Sequence, residues 1–342
     1  MILSIEETVL NKDKIIKAVK EKYGIDVYSI KKLDRGSANL YLLNDNEYIL
    51  KEFQSKYTQS EIEKEISIIN HLRNDNLLVP EYITTLDGKY NFIFEGKVII
   101  LQKFIAGYTM ESNTGNYNQM IESARDLGKI VNSLSTIDFE LPKIDISSWY
   151  STTTINNSIQ KHKDLIKQVN GKYKEKIIKD LEYKINLLEN IKNNYNFSEF
   201  QYLTSMNTHG DYSVLQFIYE DGEIKSIIDF VSACKMPVAW ELIRSYSYID
   251  KDAKDGKINI NNLVDYVKEF SKYVSLNKYD IKYMSYLYLI QLLTSTFGYK
   301  QYINDNTNKS LLEFGFFRTE LCKNLYDKAE LISNSLEKSI II

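Results

Sequence analysis

The sequence predicts an α+β fold with two lobes, a small antiparallel β-sheet lobe followed by a large, mainly helical lobe. Short apolar segments separated by turn residues fill the chain up to about residue 105, and helical periodicity dominates the remainder. A chain of 342 residues also has room for a separate core in each lobe. We therefore expect an N-terminal lobe over residues 1–105 and a C-terminal lobe over residues 106–342.

Composition excludes several classes of protein. The formal charge of −3 offers no basic surface for nucleic acid, so no nucleic-acid partner is expected. No apolar run approaches the ~20 residues of a membrane span, and no opening segment has signal-peptide features. Cys234 and Cys322 are too few for a disulfide framework, which favours the cytoplasm. The oligomeric state cannot be derived from the sequence.

Local signals define the elements of the N-terminal lobe. Helical spacing from Ile5 to Lys22 stops before Gly24, a residue type common just beyond a helix end. Thr58 and Glu61 have the spacing of a capping box, which predicts that a helix begins there. The predicted elements are a helix over 5–22, strands over 26–33, 39–43 and 48–53, a helix over 58–73, and strands over 90–94 and 98–104. Together they predict a five-stranded antiparallel sheet with one inserted helix.

The C-terminal lobe is predicted to be helical except for one hairpin. Helical spacing covers residues 118–134, 156–169 and 173–193 and resumes at Val238. Between these helices, predicted strands over 214–219 and 224–228 are joined by Asp221-Gly222, a dipeptide typical of tight hairpin turns.

Two carboxylates mark the ends of this hairpin segment. Asp211 follows His209-Gly210 in the loop before the first strand, and Asp229 follows the second strand. Kinases need one carboxylate near the attacking hydroxyl and another that holds Mg²⁺ on the phosphates. We assign these roles to Asp211 and Asp229, with the amide oxygen of Gln216 as a second metal ligand. His209 joins Asp211 as a candidate catalytic residue, although bracing the loop by hydrogen bonding is the role we favour for it.

The N-terminal lobe supplies candidates for binding nucleotide. Lys51 ends the third predicted strand and can reach the α- and β-phosphates if a carboxylate on the next helix holds it. Of the glutamates on that helix, Glu65 begins the apolar run and lies nearest the buried face. An ordinary edge-strand lysine is the alternative interpretation of Lys51. Gly36 and Ser37 lie between the first two strands, where backbone amides can cradle a phosphate, although a plain hairpin also fits.

At these positions the chain resembles the aminoglycoside phosphotransferase and choline kinase family, small-molecule kinases with a two-lobed, protein-kinase-like fold. The resemblance implies transfer of the γ-phosphoryl group of ATP or GTP, with Mg²⁺, to a hydroxyl of a small molecule such as an aminoglycoside, an amino alcohol or a sugar-like compound. It also implies that the backbone from Gln102 through Phe104 to Ile105 contacts the purine, and that the nucleotide lies between the lobes. The matching segments are 35–41, 48–53, 65–72, 208–218 and 227–233.

The chain departs from this family at one metal ligand, because Gln216 stands where the family usually has asparagine. Two alternatives therefore stay open. One is a catalytically weak pseudokinase that acts as a scaffold or coat-type interaction protein. The other is a protein kinase, which is disfavoured because only about eight residues separate Asp229 from the next helix, too few for an activation loop.

Overall fold

The computed structural model describes residues 6–33 and 38–340 of the chain, which divides into two compact units. The first unit comprises the described part of Met1–Thr109 together with Thr136–Asp138 and Gln216–Ala233. The second comprises Met110–Ser135, Phe139–Leu215 and Cys234–Ile342 as far as residue 340. The nucleotide-binding role predicted for residues 1–105 and the catalytic and acceptor-binding role predicted for residues 106–342 stay predictions.

A five-stranded antiparallel sheet forms the centre of the first unit, in the spatial order β1-β2-β3-β5-β4. Asn44, Asp45 and Asn46 make the turn between β2 and β3, with positive φ angles of 53°, 52° and 76°. The sheet confirms the five predicted strands. They are β1 (Ile30–Leu33), β2 (Asn39–Leu43), β3 (Tyr48–Glu52), β4 (Asn91–Phe94) and β5 (Lys97–Lys103).

Two helices accompany this sheet. Helix α1 (Lys12–Tyr23) ends at Gly24 as predicted, with φ at 72°, but begins seven residues later than the prediction because the side chain of Asn11 caps the Lys14 N–H. Helix α2 (Gln59–Asn74) begins with the predicted Thr58–Glu61 capping box. Val19 of α1 and Leu50 of β3 are fully buried members of the core of this unit.

The predicted hairpin belongs to the first unit and consists of the strands β7 (Phe217–Glu220) and β8 (Glu223–Ile227). Its turn has the positive φ angles expected of Asp221-Gly222, 55° and 84°. The first strand begins later than predicted, because Val214–Gln216 forms a short 3-10 helix. The Ile227 N–H donates to the Leu78 carbonyl at 2.7 Å and fixes the hairpin within this unit.

The second unit is helical apart from one pair of short antiparallel strands, β6 (Ser205–Thr208) and β9 (Cys234–Pro237), which the sequence analysis did not predict. Helix α9 packs against α7 and α11, and α3 packs against α8. Within the described residues, no helix is both long enough and apolar enough to cross a membrane. The helices are α3 (Tyr117–Leu134), α4 (Ser147–Tyr150), α5 (Thr152–Gln168), α6 (Lys174–Asn194), α7 (Val238–Ile249), α8 (Ile260–Ser271), α9 (Lys278–Thr294), α10 (Tyr299–Asn304) and α11 (Lys309–Glu337).

Candidate active site

Two predicted metal ligands flank the open end of the hairpin in the first unit. The Ile228 N–H donates to the carbonyl of Gln216 at 2.9 Å, so the backbone at 216 lies beside the residue that precedes Asp229. Asp229 has the left-handed conformation, with φ at 69° and ψ at 58°, which aspartate adopts more readily than most residues. This conformation ends the strand and starts a 3-10 turn over Phe230–Ser232 that contacts α2.

The predicted Lys51–Glu65 pair forms in the same unit. Lys51 Nζ lies 4.0 Å from Glu65 Oε1, with the two side chains 14% and 1% exposed. Neither oxygen of Glu65 has a hydrogen bond of standard geometry to a described residue, although the Tyr82 hydroxyl and the Phe230 N–H approach the carboxylate. The Lys51 ammonium also lies 4.3 Å from the centre of the Phe53 ring.

Charge is concentrated around Glu65. Burial raises the pKa of the Glu65 carboxyl, Lys51 lowers it, and the negative charge of Asp229 raises it. Burial and the same two carboxylates also raise the pKa of the Tyr82 hydroxyl. Lys51 and Asp229 thus both lie within electrostatic range of Glu65 inside a single folded unit.

The donor chemistry at this end of the hairpin fits magnesium. Carboxylate and amide oxygens are hard ligands of the kind Mg²⁺ prefers, and the ion usually takes one or two protein ligands and completes its shell with phosphates and water. No group of three or more His, Cys, Asp or Glu side chains able to hold a metal occurs in the described part of the chain. Asp229 and Gln216 carry oxygen donors of this kind, and their role as metal ligands stays a prediction.

The residues expected to contact the nucleotide differ in the backbone groups that they can present to it. Gln102 lies in β5, in register with Ile49 on one side and bridged to Tyr82 on the other. The Phe104 N–H donates to the Glu47 carbonyl at 2.9 Å, so Phe104 can offer a purine its carbonyl oxygen but not its N–H. Gly36 and Ser37 lie outside the described residues.

Asp211 lies in the second unit, in the loop after β6. Its side chain is 42% exposed, and Gly210 has φ at 79°, a conformation that favours glycine. Arg244 of α7 makes a short ion pair with Asp211 Oδ1 and also donates to the Tyr212 carbonyl at 3.0 Å. The Arg244 guanidinium therefore points to this loop.

Glu241 braces the same loop. Its Oε1 accepts from the Tyr212 N–H at 2.9 Å, and its Oε2 accepts a short hydrogen bond from the Thr208 hydroxyl. Burial raises the pKa of Glu241 to about 7, opposed by the Tyr212 N–H and by Arg244. The carboxyl therefore fixes the residues on both sides of His209-Gly210-Asp211.

His209 is fully buried in the second unit. Its Nδ1 accepts from the Asp211 N–H at 3.3 Å, and its ring lies 5.8 Å from that of Tyr212, nearly at right angles. Accepting at Nδ1 requires the neutral ring with its proton on Nε2. This geometry suits the bracing role we favoured, and the place of His209 in the reaction stays a prediction.

Comparison with known proteins assigns the chain to a family. The sequence model of the phosphotransferase enzyme family matches residues 29–259, more than half of the chain. The chain belongs to the phosphotransferase enzyme family. This match confirms the predicted resemblance and the predicted enzyme class, and the matched range includes both Asp211 and Asp229.

Individual relatives of this phosphotransferase are distant. It is 24% identical over 233 residues to a homoserine kinase of Zymomonas mobilis, covering 66% of this chain and 67% of the relative. An aminoglycoside phosphotransferase from Alicyclobacillus acidocaldarius has a TM-score of 0.65 at 13% identity, over 97% of each chain. A spectinomycin phosphotransferase solved with ADP and spectinomycin has a TM-score of 0.59 at 15% identity, over 93% of this chain and 98% of that one. These likenesses confirm the fold class.

Sequence reasoning missed two residues of the site. Tyr82 follows Pro80 in a segment without periodicity, and only the fold brings it beside Glu65. Arg244 lies 33 positions from its partner Asp211, so no local spacing could reveal the contact.

Proposed function

We propose that this phosphotransferase moves the γ-phosphoryl group of ATP or GTP, with Mg²⁺, to a hydroxyl of a small molecule. One observation supports the proposal most strongly. Glu65, a carboxylate that is 1% exposed, lies 4.0 Å from the Lys51 ammonium and within electrostatic range of Asp229. Burying an incompletely hydrogen-bonded ion pair costs folding free energy, so a role in binding charged phosphates accounts for it better than a structural role does.

The first unit carries the groups proposed for the nucleotide and the metal. Lys51, held by Glu65, would contact the α- and β-phosphates. Asp229 and Gln216 would hold Mg²⁺, which when bound supplies positive charge to the phosphate oxygens. The carbonyl of Phe104 and the backbone at Gln102 are the proposed contacts of the purine.

The second unit carries the groups proposed for the acceptor. Asp211 would accept or orient the proton of the attacking hydroxyl. Arg244 keeps the carboxylate in one orientation, and Glu241 and His209 keep the loop in one conformation. A carboxylate that is already oriented loses less entropy when the acceptor binds than a mobile one.

The strand that follows Asp229 favours a small acceptor over a protein. Strand β9 begins at Cys234, and α7 begins directly after it at Val238. This leaves no segment for the activation loop and peptide platform of a protein kinase. The homoserine kinase and the spectinomycin phosphotransferase to which the chain is similar are named for small hydroxylated acceptors, which supports the same conclusion.

The cytoplasm is the proposed compartment. Cys234 and Cys322 are both buried free thiols, and thiols persist where the surroundings are reducing. Burial raises the pKa of each thiol, so neither is favoured as a reactive thiolate.

A nucleotide-turnover assay tests the proposed function. Purified protein is incubated with MgATP or MgGTP and a panel of aminoglycosides, amino alcohols, sugars and hydroxy acids, and ADP or GDP release is followed. Release that depends on one class of acceptor supports the proposal. Protein that binds nucleotide but gives no acceptor-dependent release would favour the pseudokinase scaffold instead, and peptide acceptors test the protein-kinase alternative.

A further inference from the structure

One face of α7 carries three side chains one turn apart, Trp240, Arg244 and Tyr248. The Arg244 guanidinium carbon lies 5.3 Å from the centre of each neighbouring ring. Because Arg244 also contacts the proposed catalytic carboxylate of Asp211, this face is continuous with the acceptor side of the proposed reaction. Side chains that adjoin it are therefore placed to recognise the acceptor.

An aromatic group extends this face toward α9 and α11. The Tyr288 hydroxyl donates to that of Tyr248 at 3.1 Å. The Tyr248 ring lies 5.9 Å from the rings of both Phe314 and Phe317, which are only partly buried. Partly exposed rings beside Arg244 leave the group accessible to a small molecule.

Arg318 of α11 lies in this aromatic group without a counter-ion among the described residues. Its guanidinium carbon is 5.7 Å from the centre of the Phe314 ring, and the residue is 7% exposed. Within the described part of the chain, its Nε–H has no hydrogen-bond acceptor and no carboxylate forms a salt bridge with it. Buried charges are ordinarily paired, so this arginine lacks the partner that burial demands.

Trp240 provides a second buried donor that has no partner in the described ranges. The residue is 7% exposed, and its Nε1–H has no acceptor among the described residues. Its ring lies 6.3 Å from that of Tyr288, so both unpartnered donors adjoin the Tyr248–Tyr288 pair. Indole and guanidinium N–H groups can only donate, so the missing partner must be an acceptor of hydrogen bonds.

The charged groups around Arg318 add to the shortage of negative charge there. Lys184 is 1% exposed, and burial, together with the positive charge of Arg318, lowers its pKa to about 8. The nearby carboxylate of Asp180 is already engaged by the Tyr299 hydroxyl at 2.7 Å and by Lys323 at 3.6 Å. Burial raises the pKa of Tyr288, and both Arg244 and Arg318 oppose that rise, which places both cations within electrostatic range of it.

We propose that the acceptor is a hydroxy acid, a small molecule that carries a carboxylate besides the hydroxyl that is phosphorylated, and that Arg318 binds the carboxylate. This inference rests on the proposed function and specifies its acceptor. A planar carboxylate matches the guanidinium fork and supplies the acceptor oxygens that Arg318 and Trp240 lack. A polycationic aminoglycoside would instead bring further positive charge to a region that already holds Arg244 and Arg318.

Matched pairs of acceptors test this assignment. The full chain is assayed for transfer from MgATP and MgGTP to 3-hydroxypropanoate, 4-hydroxybutanoate and serine, each beside its amide. Wild-type protein should prefer the acid over the amide by about 10- to 100-fold in kcat/KM, as expected for a hydrogen bond to a charged group. Arg318→Met should reduce this preference to near unity by lowering kcat/KM for the acid. Arg318→Lys, which keeps the charge, should retain part of the preference.

Arg125→Met is the control for removal of an arginine, because Arg125 pairs with Glu269 elsewhere on the second unit. Its preference for the acid should equal that of wild type. An equal preference in wild type and Arg318→Met, or transfer to aminoglycosides with none to any hydroxy acid, would overturn the assignment.

Binding measured by calorimetry without nucleotide separates this inference from the proposed function. If nothing is phosphorylated but the acids bind wild type and bind Arg318→Met at least tenfold more weakly, the proposed function fails and the anion site stands. If the acids bind neither protein, or bind both equally, the site is refuted whatever the transfer assay gives.

Discussion

Glu65 in the first unit and Glu241 in the second are both carboxylates with 1% exposure, but they differ in their hydrogen bonds. Glu241 accepts from the Thr208 hydroxyl and the Tyr212 N–H. Glu65 lies 4.0 Å from the Lys51 ammonium and near the Tyr82 hydroxyl and the Phe230 N–H, but it has no hydrogen bond of standard geometry to a described residue. Burial without full hydrogen bonding costs folding free energy. The first unit therefore holds a buried carboxylate whose surroundings a bound ligand can complete, whereas the hydrogen bonds of Glu241 already fix the loop of the second unit before any ligand binds.

The largest effect is expected from substitution of Asp211, the carboxylate in the loop that Glu241 fixes. Asp211→Asn should lower kcat by about 10²- to 10⁴-fold, because an amide cannot accept the proton of the attacking hydroxyl. Nucleotide binding should persist, since the proposed nucleotide contacts lie in the other unit. Steady-state kinetics and nucleotide titration measure the two effects.

Asp221→Asn is the matched control, because Asp221 occupies the hairpin turn and asparagine also tolerates its positive φ of 55°. It should keep wild-type turnover. Wild-type turnover by Asp211→Asn would show that the loop is fixed for a purpose other than catalysis.

A second prediction concerns the metal ligand of the first unit. Asp229→Asn should lower turnover at least about 100-fold at low Mg²⁺, because the proposed metal loses its anionic ligand. It should also weaken the stabilisation of the fold by MgATP, which follows from binding to the native state alone. Thermal unfolding with and without MgATP measures this loss, and an unchanged response would remove Asp229 from the metal site.

A third prediction tests how far the buried carboxylate of Glu65 depends on Lys51 for its stabilisation. Lys51→Met should lower the free energy of unfolding by about 3 kcal/mol, because it leaves a buried carboxylate without its cation. Lys51→Met combined with Glu65→Leu should recover most of that loss. Urea denaturation of the two single variants and the double variant measures the coupling. Additive effects in the double variant would mean that the pair at 4.0 Å contributes no coupling.

The smallest effect is expected from the titration of Glu241. Its pKa is raised from 4.5 to about 7 by burial, so the folded state binds more protons than the unfolded state between those values. Stability therefore falls as pH rises from about 4.5 to 7, by at most about 3 kcal/mol from this group.

Glu241→Gln should abolish this part of the pH dependence, and Glu313→Gln, at an exposed position on α11, should leave it intact. Urea denaturation at pH 5 and pH 8 compares them. Equal pH dependence in wild type and Glu241→Gln would show that the carboxyl is ionised throughout this range.

Much of the fold was predictable because local chemistry determines it. The Thr58–Glu61 capping box and the Asp221-Gly222 turn need only neighbouring residues, and both occur where predicted. The predicted start of α1 was wrong because helical spacing continues upstream of Asn11. The helix begins after Asn11, whose side chain caps it. Strand β6 was missed because four residues of mixed polarity give no periodic signal, and its pairing with β9 is not local.

The contacts of the candidate site also divide into those that local sequence predicts and those that it does not. Lys51 and Glu65 were paired correctly from position, since the apolar run of α2 determines which glutamate faces inward. The ion pair of Arg244 with Asp211 and the unpartnered guanidinium of Arg318 depend on how helices pack in three dimensions. Sequence spacing carries no information on such contacts.

A crystal structure with Mg²⁺ and a non-hydrolysable ATP analogue tests the central claim most directly. We expect the metal about 2.1 Å from oxygens of Asp229 and Gln216, with Lys51 within hydrogen-bonding distance of an α- or β-phosphate oxygen. A metal and phosphates held by other side chains, with Asp229 and Lys51 contacting neither, would contradict the account.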